Sequence, residues 1–216
     1  MEDHKKVLIT AGPTYEPIDP VRFIGNRSSG KMGYALAEAF IEKGAEVILV
    51  SGPVSLKRPD CRVIDVETAA QMFEVCKSEF PNCDITILAA AVADFAPLNV
   101  ADKKIKKGHS DEMSIELKKT QDILAFLGKI KTANQILAGF SLETHNEIEF
   151  ANAKLKLKNA DIMFMNSLKD GPIFGEDQNT ITVLSNNEKL FELGTGSKKV
   201  LAERIVDHIL NYDIKH

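Results

Sequence analysis

The sequence contains few cysteines, and their spacing suggests neither a disulfide framework nor a zinc module. Its 216 residues include three cysteines, Cys61, Cys76 and Cys83, an odd number without any C-x-x-C pair. Such a pattern is typical of reduced, structural thiols in a reducing compartment. A catalytic role for one of these thiols is not excluded by the count alone.

Long hydrophobic runs and an excess of basic residues are also missing. No apolar segment is long enough to span a bilayer, and no signal peptide precedes the first predicted strand. The formal net charge is −4, which makes nucleic acid an unexpected partner. We therefore expect a cytoplasmic protein that binds neither membranes nor nucleic acids.

The common nucleotide-binding motifs are incomplete. Gly25, Gly30 and Lys31 have the spacing of a P-loop, but the next residue is Met32, which has no hydroxyl for Mg²⁺. A G-x-G-x-x-G motif is absent, and no acidic residue ends the second predicted strand, 46–50. No tyrosine is followed four positions later by lysine, as a short-chain reductase would require. Neither NAD nor flavin is therefore expected as a cofactor.

A segment of small and polar residues, 25–33, lies between the first predicted strand, 7–10, and an apolar helix over 31–43. Backbone N–H groups at a helix N-terminus bind anions readily when small residues let the ligand approach. Ser28 or Ser29 is expected to cap this helix, while Gly30 lets the ligand come close to the backbone. We interpret 25–33 as a phosphate-binding segment and refer to it as the phosphate cradle.

Strands and helices alternate through most of the chain, which predicts a Rossmann-like α/β fold with a mostly parallel sheet flanked by helices. Further strands are predicted at 62–66, 84–90, 135–141 and 161–166, with helices near 68–79, 122–129 and 146–158 and a closing helix from Ser197. Segments of about 111–118 and 178–194 are predicted to form a small β arm. A single domain over residues 1–216 is the simplest organisation.

In a parallel α/β sheet, ligands bind beyond the carboxyl ends of the strands. This rule places the phosphate cradle, Ser51-Gly52 and Asp94 on one rim. Asp94 is either a partner for a metal or hydroxyl group or an acid that caps its own loop. The basic run 103–107 is either a solvated surface or a loop that closes over a triphosphate, which Ile105 would pin in place.

Seven motifs carry a resemblance to a known family. In order along the chain they are T-A-G-P-T (10–14), D-P-V-R (19–22), N-R-S-S-G-K-M-G (26–33), S-G-P (51–53), A-A-A-V-A-D-F (89–95), K-I-K-K (104–107) and G-F (139–140). Together they closely resemble the phosphopantothenate–cysteine ligase family, also called phosphopantothenoylcysteine synthetase, of coenzyme A biosynthesis. The set is specific, although no single motif is.

The resemblance implies a homodimeric enzyme of the bacterial type that uses CTP and Mg²⁺, with the β arm serving dimerisation. It would activate the carboxylate of 4′-phosphopantothenate as an acyl-cytidylate and release pyrophosphate, after which cysteine would displace CMP. Only six residues precede the first strand, so the chain resembles the free-standing form and implies a separate phosphopantothenoylcysteine decarboxylase. The same reaction with ATP, or nucleotide binding without turnover, remains an alternative.

The resemblance also implies roles for individual residues. Asn26 would hold the acyl group for attack, and Lys104 would stabilise the phosphates of the transferred nucleotide. Asp94 would contact the nucleotide or its metal. The remaining residues implied in binding nucleotide and substrate are Gly12, Ser28, Ser29, Gly30, Lys31, Ser51, Gly52, Ala89, Ala90, Ala91, Lys106, Lys107, Phe140 and Asn166.

Overall fold

The computed structural model describes residues 4–106, 112–143, 147–167, 178–186 and 190–213. Strands and helices alternate along most of these ranges. In chain order they are β1 (Lys6–Ala11), β2 (Tyr15–Pro17), β3 (Phe23–Gly25), α1 (Lys31–Glu42), β4 (Glu46–Ser51), β5 (Arg62–Asp65), α2 (Ala69–Glu79), β6 (Ile85–Leu88), β7 (Phe95–Pro97), β8 (Leu117–Lys119), α3 (Ile123–Ile130), β9 (Ile136–Glu143), α4 (Glu147–Leu157), β10 (Ile162–Ser167), β11 (Gln178–Ser185), β12 (Phe191–Ser197) and α5 (Lys198–Leu210).

Eight of the strands form one sheet in the spatial order β12-β11-β10-β9-β6-β1-β4-β5. The strands from β10 to β5 pair in parallel, whereas β11 and β12 continue the sheet antiparallel. This arrangement confirms the predicted Rossmann-like, mostly parallel fold. The chain proceeds outward from β1 to β4 and β5, then returns to place β6 on the other side of β1. The switch point therefore lies between β1 and β6, where open α/β sheets bind their ligands.

Both faces of the sheet are buried, which explains the nearly continuous apolar runs of its central strands. On one face, Val7 and Ile9 of β1 belong to the core that includes Leu36 of α1 and Leu201 of α5. On the other face, Leu8 belongs to a second core, which includes side chains of α2, α3 and α4. Successive strand residues point to opposite faces, so each central strand contributes to both cores.

The two segments predicted to form a β arm do not form one separate unit. β11 pairs with β10 and β12 pairs with β11, so these two strands make the edge of the main sheet, while β8 pairs with β7 in a separate two-stranded ribbon. Alternating apolar residues are equally typical of an edge strand and of an arm, because the pattern reports one buried face and not the pairing partner. Across the described ranges, none of the helices has both the length and the hydrophobicity needed to cross a bilayer.

Candidate functional site

Two loops join at the switch point and form the floor of the candidate site. The loop after β1 and the loop after β6 are connected because Ala91 N–H donates to Gly12 O over 2.9 Å. Thr14 reinforces this connection, since its N–H donates to Ala91 O over 3.3 Å and its hydroxyl accepts from Ala93 N–H over 3.0 Å. The floor is therefore fixed by hydrogen bonds between residues almost 80 positions apart.

The phosphate cradle enters α1 through Gly30, which is itself the N-cap in a left-handed conformation with φ of 75°. The prediction that Ser28 or Ser29 caps the helix is wrong, because no side chain of the described residues makes a capping bond there. Ser28 Oγ instead accepts a hydrogen bond of 3.3 Å from Gly30 N–H, and Ser29 is exposed. Glycine reaches this conformation without a Cβ clash, and the first turn of α1 carries no acidic side chain. The helix N-terminus thus presents a positive potential to an anion.

Glycines allow the cradle to lie against its neighbouring loops. A Cβ atom on Gly30 would lie 3.2 Å from Gly12 Cα and 2.9 Å from a methyl group of Val54. A Cβ atom on Gly52 would lie 1.8 Å from the carbonyl oxygen of Pro13. The loops after β1 and β4 and the start of α1 therefore meet at backbone contact.

Ser51 lies beneath this contact and is 1% exposed. Its hydroxyl is within 3.0 Å of the Tyr34 hydroxyl and donates to Gly52 O over 2.9 Å. The side chain is therefore bonded inside the protein and supports the turn at Gly52. Its predicted contact with a ligand stays a prediction, whereas Lys31, the first residue of α1, is exposed at the cradle.

Asn26 links the cradle to the switch point. It follows β3 directly, is exposed, and donates from Nδ2 to Ala91 O over 3.0 Å. The same carbonyl oxygen accepts from Thr14 N–H, so Asn26 is positioned by the floor of the site. The structure thus brings Asn26, Gly12, Gly30, Gly52 and Ala91 together, as the sequence predicts.

A cavity of about 580 Å³ opens beside Ala90 and Val92, which flank Ala91, on the side of the rim that faces α3. It is within the size range of small-molecule sites. Three of the predicted site residues line it, namely Ala90, Asp94 and Phe140, together with Thr10, Leu88, Val92, Phe95, Lys119, Thr120, Gln121, Asp122, Ile123, Leu124, Gly139 and Lys158. Ala89 lies just before these residues and packs against the core on the α1 face.

Sequence reasoning missed the wall formed by residues 119–122. This segment joins β8 to α3 and is fastened to the loop after β6, because Thr120 Oγ1 donates to Ala93 O over 2.6 Å. Thr120 N–H also donates to Asp94 O over 3.0 Å. In the sequence, Asp122 signals only the start of a helix, which it indeed caps. Its place in the cavity depends on tertiary contacts that no local pattern carries.

Asp94 is exposed at the cavity, and its carboxylate can reach a ligand or a ligand-bound metal. Within the described ranges, no group of three or more His, Cys, Asp or Glu side chains is arranged to hold a metal ion. A single carboxylate still fits Mg²⁺, which commonly binds through one carboxylate together with substrate phosphates. The donor set thus suits a metal that arrives with a nucleotide.

Lys104 and Lys106 are exposed in an irregular loop, and half-buried Ile105 lies between them. Ile105 N–H donates to Asp19 over 3.1 Å, so the predicted pinning role of Ile105 is carried by its backbone. Lys107, the fourth residue of the K-I-K-K motif, lies outside the described residues.

Asn166 lies near the carboxyl end of β10, at the predicted rim, with β9 and β6 between its strand and β1. Its Oδ1 atom is buried and has no hydrogen-bond partner within the described residues. Phe140, on neighbouring β9, packs its ring 5.3 Å from that of Phe164. Asn166 and Phe140 therefore lie on strands beyond β6, away from the contact between Gly12 and Gly30.

The three cysteines take no part in this site. Burial raises the pKa of the Cys76 thiol to about 12 and that of Cys83 to about 11. Cys61 is half-buried, and burial raises the pKa of its thiol too. Nucleophilic cysteines depend on the thiolate, which is scarce at neutral pH in such surroundings. The thiols are therefore structural.

Comparison with known proteins identifies a family. The family of the DNA/pantothenate metabolism flavoprotein C-terminal domain matches residues 2–212. The coenzyme A biosynthesis bifunctional protein CoaBC of Bacillus subtilis (strain 168) is 48% identical over 208 residues, which are 95% of this chain and 51% of that protein. A protein of an unknown prokaryotic organism, named cysteine/cysteine sulfinic acid decarboxylase, is 56% identical over 211 residues, 95% of this chain and 58% of that protein.

A solved structure agrees in both fold and sequence. The crystal structure of the C-terminal domain of the coenzyme A biosynthesis bifunctional protein CoaBC superposes with a TM-score of 0.81 at 42% identity, covering 95% of this chain and 93% of that one. The chain spans between half and three fifths of the two longer relatives, so their names describe more than this chain. The chain belongs to the DNA/pantothenate metabolism flavoprotein C-terminal domain family.

Proposed function

We propose that this chain joins 4′-phosphopantothenate to cysteine, using CTP to activate the carboxylate. The observation that carries the proposal is the junction at Asn26, where the phosphate cradle at the start of α1 meets the cavity beside Ala91. One compartment suits the phosphates of a nucleotide, and the adjoining one suits an acyl substrate. The reaction needs these two groups side by side.

In the first half-reaction, the substrate carboxylate attacks the α-phosphorus of CTP and pyrophosphate leaves. The protein supplies no nucleophile, so catalysis depends on alignment and on stabilising the charge on the phosphates. The N-terminus of α1 at Gly30 provides backbone N–H groups and a positive dipole end. Lys104, in the loop held through Ile105, supplies a cationic side chain for the α-phosphate. The cavity beside Ala91 holds the acyl chain in line.

In the second half-reaction, the amine of cysteine attacks the acyl carbon. The C–N bond forms, the acyl–phosphate bond breaks, CMP leaves and the amine loses a proton. Asn26 offers a neutral Nδ2 donor to the acyl oxygen on which negative charge develops. A neutral donor stabilises this charge without binding the acyl-cytidylate so tightly that the intermediate persists. The product retains the carboxylate of cysteine, so a phosphopantothenoylcysteine decarboxylase would be the enzyme that consumes it.

We propose Mg²⁺ as the accompanying metal, bound mostly by nucleotide phosphates and by Asp94, the exposed carboxylate at the cavity. Bound there, Mg²⁺ would supply charge neutralisation at the phosphates. The choice of CTP over ATP rests on the resemblance of the seven motifs to the bacterial type. Asn166 Oδ1, buried without a hydrogen-bond partner among the described residues, is an acceptor for a nucleobase amine.

We also propose a homodimer. Several large apolar side chains near the two-stranded ribbons are exposed, namely Val21, Phe23, Phe95, Leu98, Val100 and Leu117. Groups of exposed apolar residues commonly mark protein interfaces. Because β2 contacts β7, the two ribbons lie together, and their apolar residues offer a surface for a second copy.

The proposal is tested by measuring pyrophosphate release from purified protein with Mg²⁺, 4′-phosphopantothenate and either CTP or ATP, with and without cysteine. Fast release with CTP, dependent on phosphopantothenate and sustained by cysteine, is expected. A preference for ATP would overturn the choice of CTP, while the proposed ligase reaction would stand. Binding of CTP without any release would favour a nucleotide-binding protein, and release of CO₂ from cysteine alone would favour the activity named for the 56% identical relative.

A further inference from the structure

Asp19 is a buried carboxylate in a surface turn, and its two oxygens serve different parts of the protein. Its residue is 3% exposed. Oδ1 accepts from the backbone N–H groups of Val21 and Arg22, each over 2.9 Å, which closes the local turn. Oδ2 accepts from Nε of Arg22 over 3.0 Å and from Nη2 over 2.5 Å. Oδ2 also accepts from the distant Ile105 N–H over 3.1 Å.

The bond to Ile105 is one of a matched pair. Arg22 Nη2 donates to Ile105 O over 3.0 Å, so Asp19 and Arg22 hold both backbone groups of a residue more than 80 positions away. Earlier in the same loop, Ala101 N–H donates to Ile18 O over 3.0 Å. The segment 18–22 therefore fastens residues 101–105, a stretch without helix or strand of its own.

Half-buried Ile105 lines a small cavity of about 340 Å³ together with Ile18 and Ile115. The Arg22 side chain remains 40% exposed, whereas the Asp19 carboxylate is 0% exposed. The Arg22 guanidinium beside it holds the pKa of Asp19 well below its usual range, so the carboxylate is ionised at neutral pH.

We propose that Asp19 is a positioning residue for Lys104: by clasping the backbone of Ile105, it holds the neighbouring lysine at the phosphate site. The inference rests on the proposed function, in which Lys104 meets the phosphates of the nucleotide. A local turn needs only the bonds to Oδ1, which are those of an ordinary Asx turn. The bond from Ile105 N–H to Oδ2 serves the loop, and it restricts where an otherwise flexible lysine can reach. Such preorganisation lowers the entropy cost of aligning a charged group in the transition state.

The substitution Asp19→Asn separates the two roles. An asparagine keeps one oxygen to accept from Val21 and Arg22, so the turn is retained. Its NH₂ group, in the place of Oδ2, cannot accept from Ile105 N–H and opposes the Arg22 guanidinium. The control is Asp207→Asn, which makes the same substitution in an exposed ion pair, with Lys43 at 2.6 Å, on the surface of α5.

Two measurements test the inference. Hydrogen exchange in the free protein reports the clasp without any turnover, and Asp19→Asn is expected to raise exchange across 103–106, whereas Asp207→Asn leaves it unchanged. The rate of pyrophosphate release reports the effect on Lys104, and a displacement of about 1 Å can lower such a rate about 10²-fold. We expect Asp19→Asn to lower kcat with a smaller change in KM for phosphopantothenate.

A double variant separates positioning from general damage. If Asp19 acts through Lys104, then Asp19→Asn combined with Lys104→Ala is no slower than Lys104→Ala alone. Unchanged hydrogen exchange at 103–106 in Asp19→Asn would overturn the inference that Asp19 holds this loop. If the double variant loses activity by the product of the two single losses, Asp19 does not act through Lys104. Should the wild-type protein release no pyrophosphate, the proposed ligase activity fails, and with it the role of Lys104. The exchange result would then still decide whether Asp19 holds the loop.

Discussion

The side-chain amide of Asn26 donates a hydrogen bond of 3.0 Å to the carbonyl oxygen of Ala91. Ala91 in turn donates from its N–H to Gly12 O over 2.9 Å, so three chain segments converge at the carboxyl ends of β1 and β6. This junction lies at the switch point of the sheet, which general rules for α/β proteins mark as the ligand site. The proposed reaction depends on the two compartments that meet there.

Replacing Asn26 by alanine is expected to separate the two half-reactions. The cradle and Lys104 remain, so a first turnover of pyrophosphate continues, while amide formation falls by about 10²- to 10³-fold because the donor to the acyl oxygen is lost. Rapid-quench measurement of pyrophosphate and of the amide product in the same samples checks this. Asn211→Ala is the control, since that exposed asparagine donates to a helix carbonyl, Asp207 O, far from the site. Equal losses of both products would contradict the role assigned to Asn26.

Gly30→Ala is expected to weaken nucleotide binding beyond its cost in stability. At φ of 75° an alanine costs about 1 kcal/mol, and its Cβ would also press on Gly12 and Val54. Gly44→Ala introduces the same strain at φ of 80°, but its Cβ would meet only His4, at 3.8 Å. Calorimetric titration with CTP, at temperatures equally far below the two thermal midpoints, checks this. Equal CTP affinity in the two variants would contradict the proposed role of the phosphate cradle in nucleotide binding.

The buried thiols are expected to make stability fall at alkaline pH. In the unfolded chain a cysteine ionises near its ordinary pKa of 9.0, whereas burial raises the pKa of folded Cys76 to about 12. A raised folded pKa leaves the stabilisation complete below pH 9 and lost progressively as the pH rises toward 12. Thermal midpoints of wild type and Cys76→Ala from pH 7 to 10.5 check this, with a shallower alkaline decline in the variant. If the thermal midpoints of the two proteins decline in parallel with pH, the raised pKa of Cys76 does not cause the alkaline loss of stability.

The proposed dimer is tested by placing a charge on the apolar surface near the ribbons. Leu98 is 46% exposed there, and Leu98→Glu is expected to shift the protein toward monomer. Leu157 is 84% exposed on α4, and Leu157→Glu introduces the same change elsewhere. Light scattering coupled to size-exclusion chromatography measures the mass of each. A dimer that survives Leu98→Glu and dissociates with Leu157→Glu would place the interface on α4.

Much of the fold could be predicted from the sequence because apolar runs such as 7–10 and 46–50 are typical of buried parallel strands. Thr68 and Ser197 cap α2 and α5, as their positions before apolar helices indicate. The hairpin of β2 and β3 could not be predicted in this way, since the prolines of 13–20 suggest a loop. Proline is nevertheless tolerated in short edge ribbons, and Pro17 pairs with Phe23 there.

The site was predictable where it depends on composition and not where it depends on tertiary contact. Small residues at 25–33 and 89–91 indicate a surface that a ligand can approach closely. Three features of the site depend on hydrogen bonds between residues distant in sequence. Ser51 bonds Tyr34, Thr120 bonds Ala93, and Ile105 bonds Asp19. Local patterns do not carry such contacts, so only the structure reveals them.

Isotope transfer tests the central claim most directly. Phosphopantothenate labelled with ¹⁸O in its carboxylate is incubated with the protein, Mg²⁺, CTP and cysteine, and the products are analysed by mass spectrometry. If the carboxylate attacks the α-phosphorus, one ¹⁸O atom from each activated carboxylate appears in CMP, and the amide retains the other. Label in inorganic phosphate instead, or amide formation without labelled CMP, would contradict the acyl-cytidylate account.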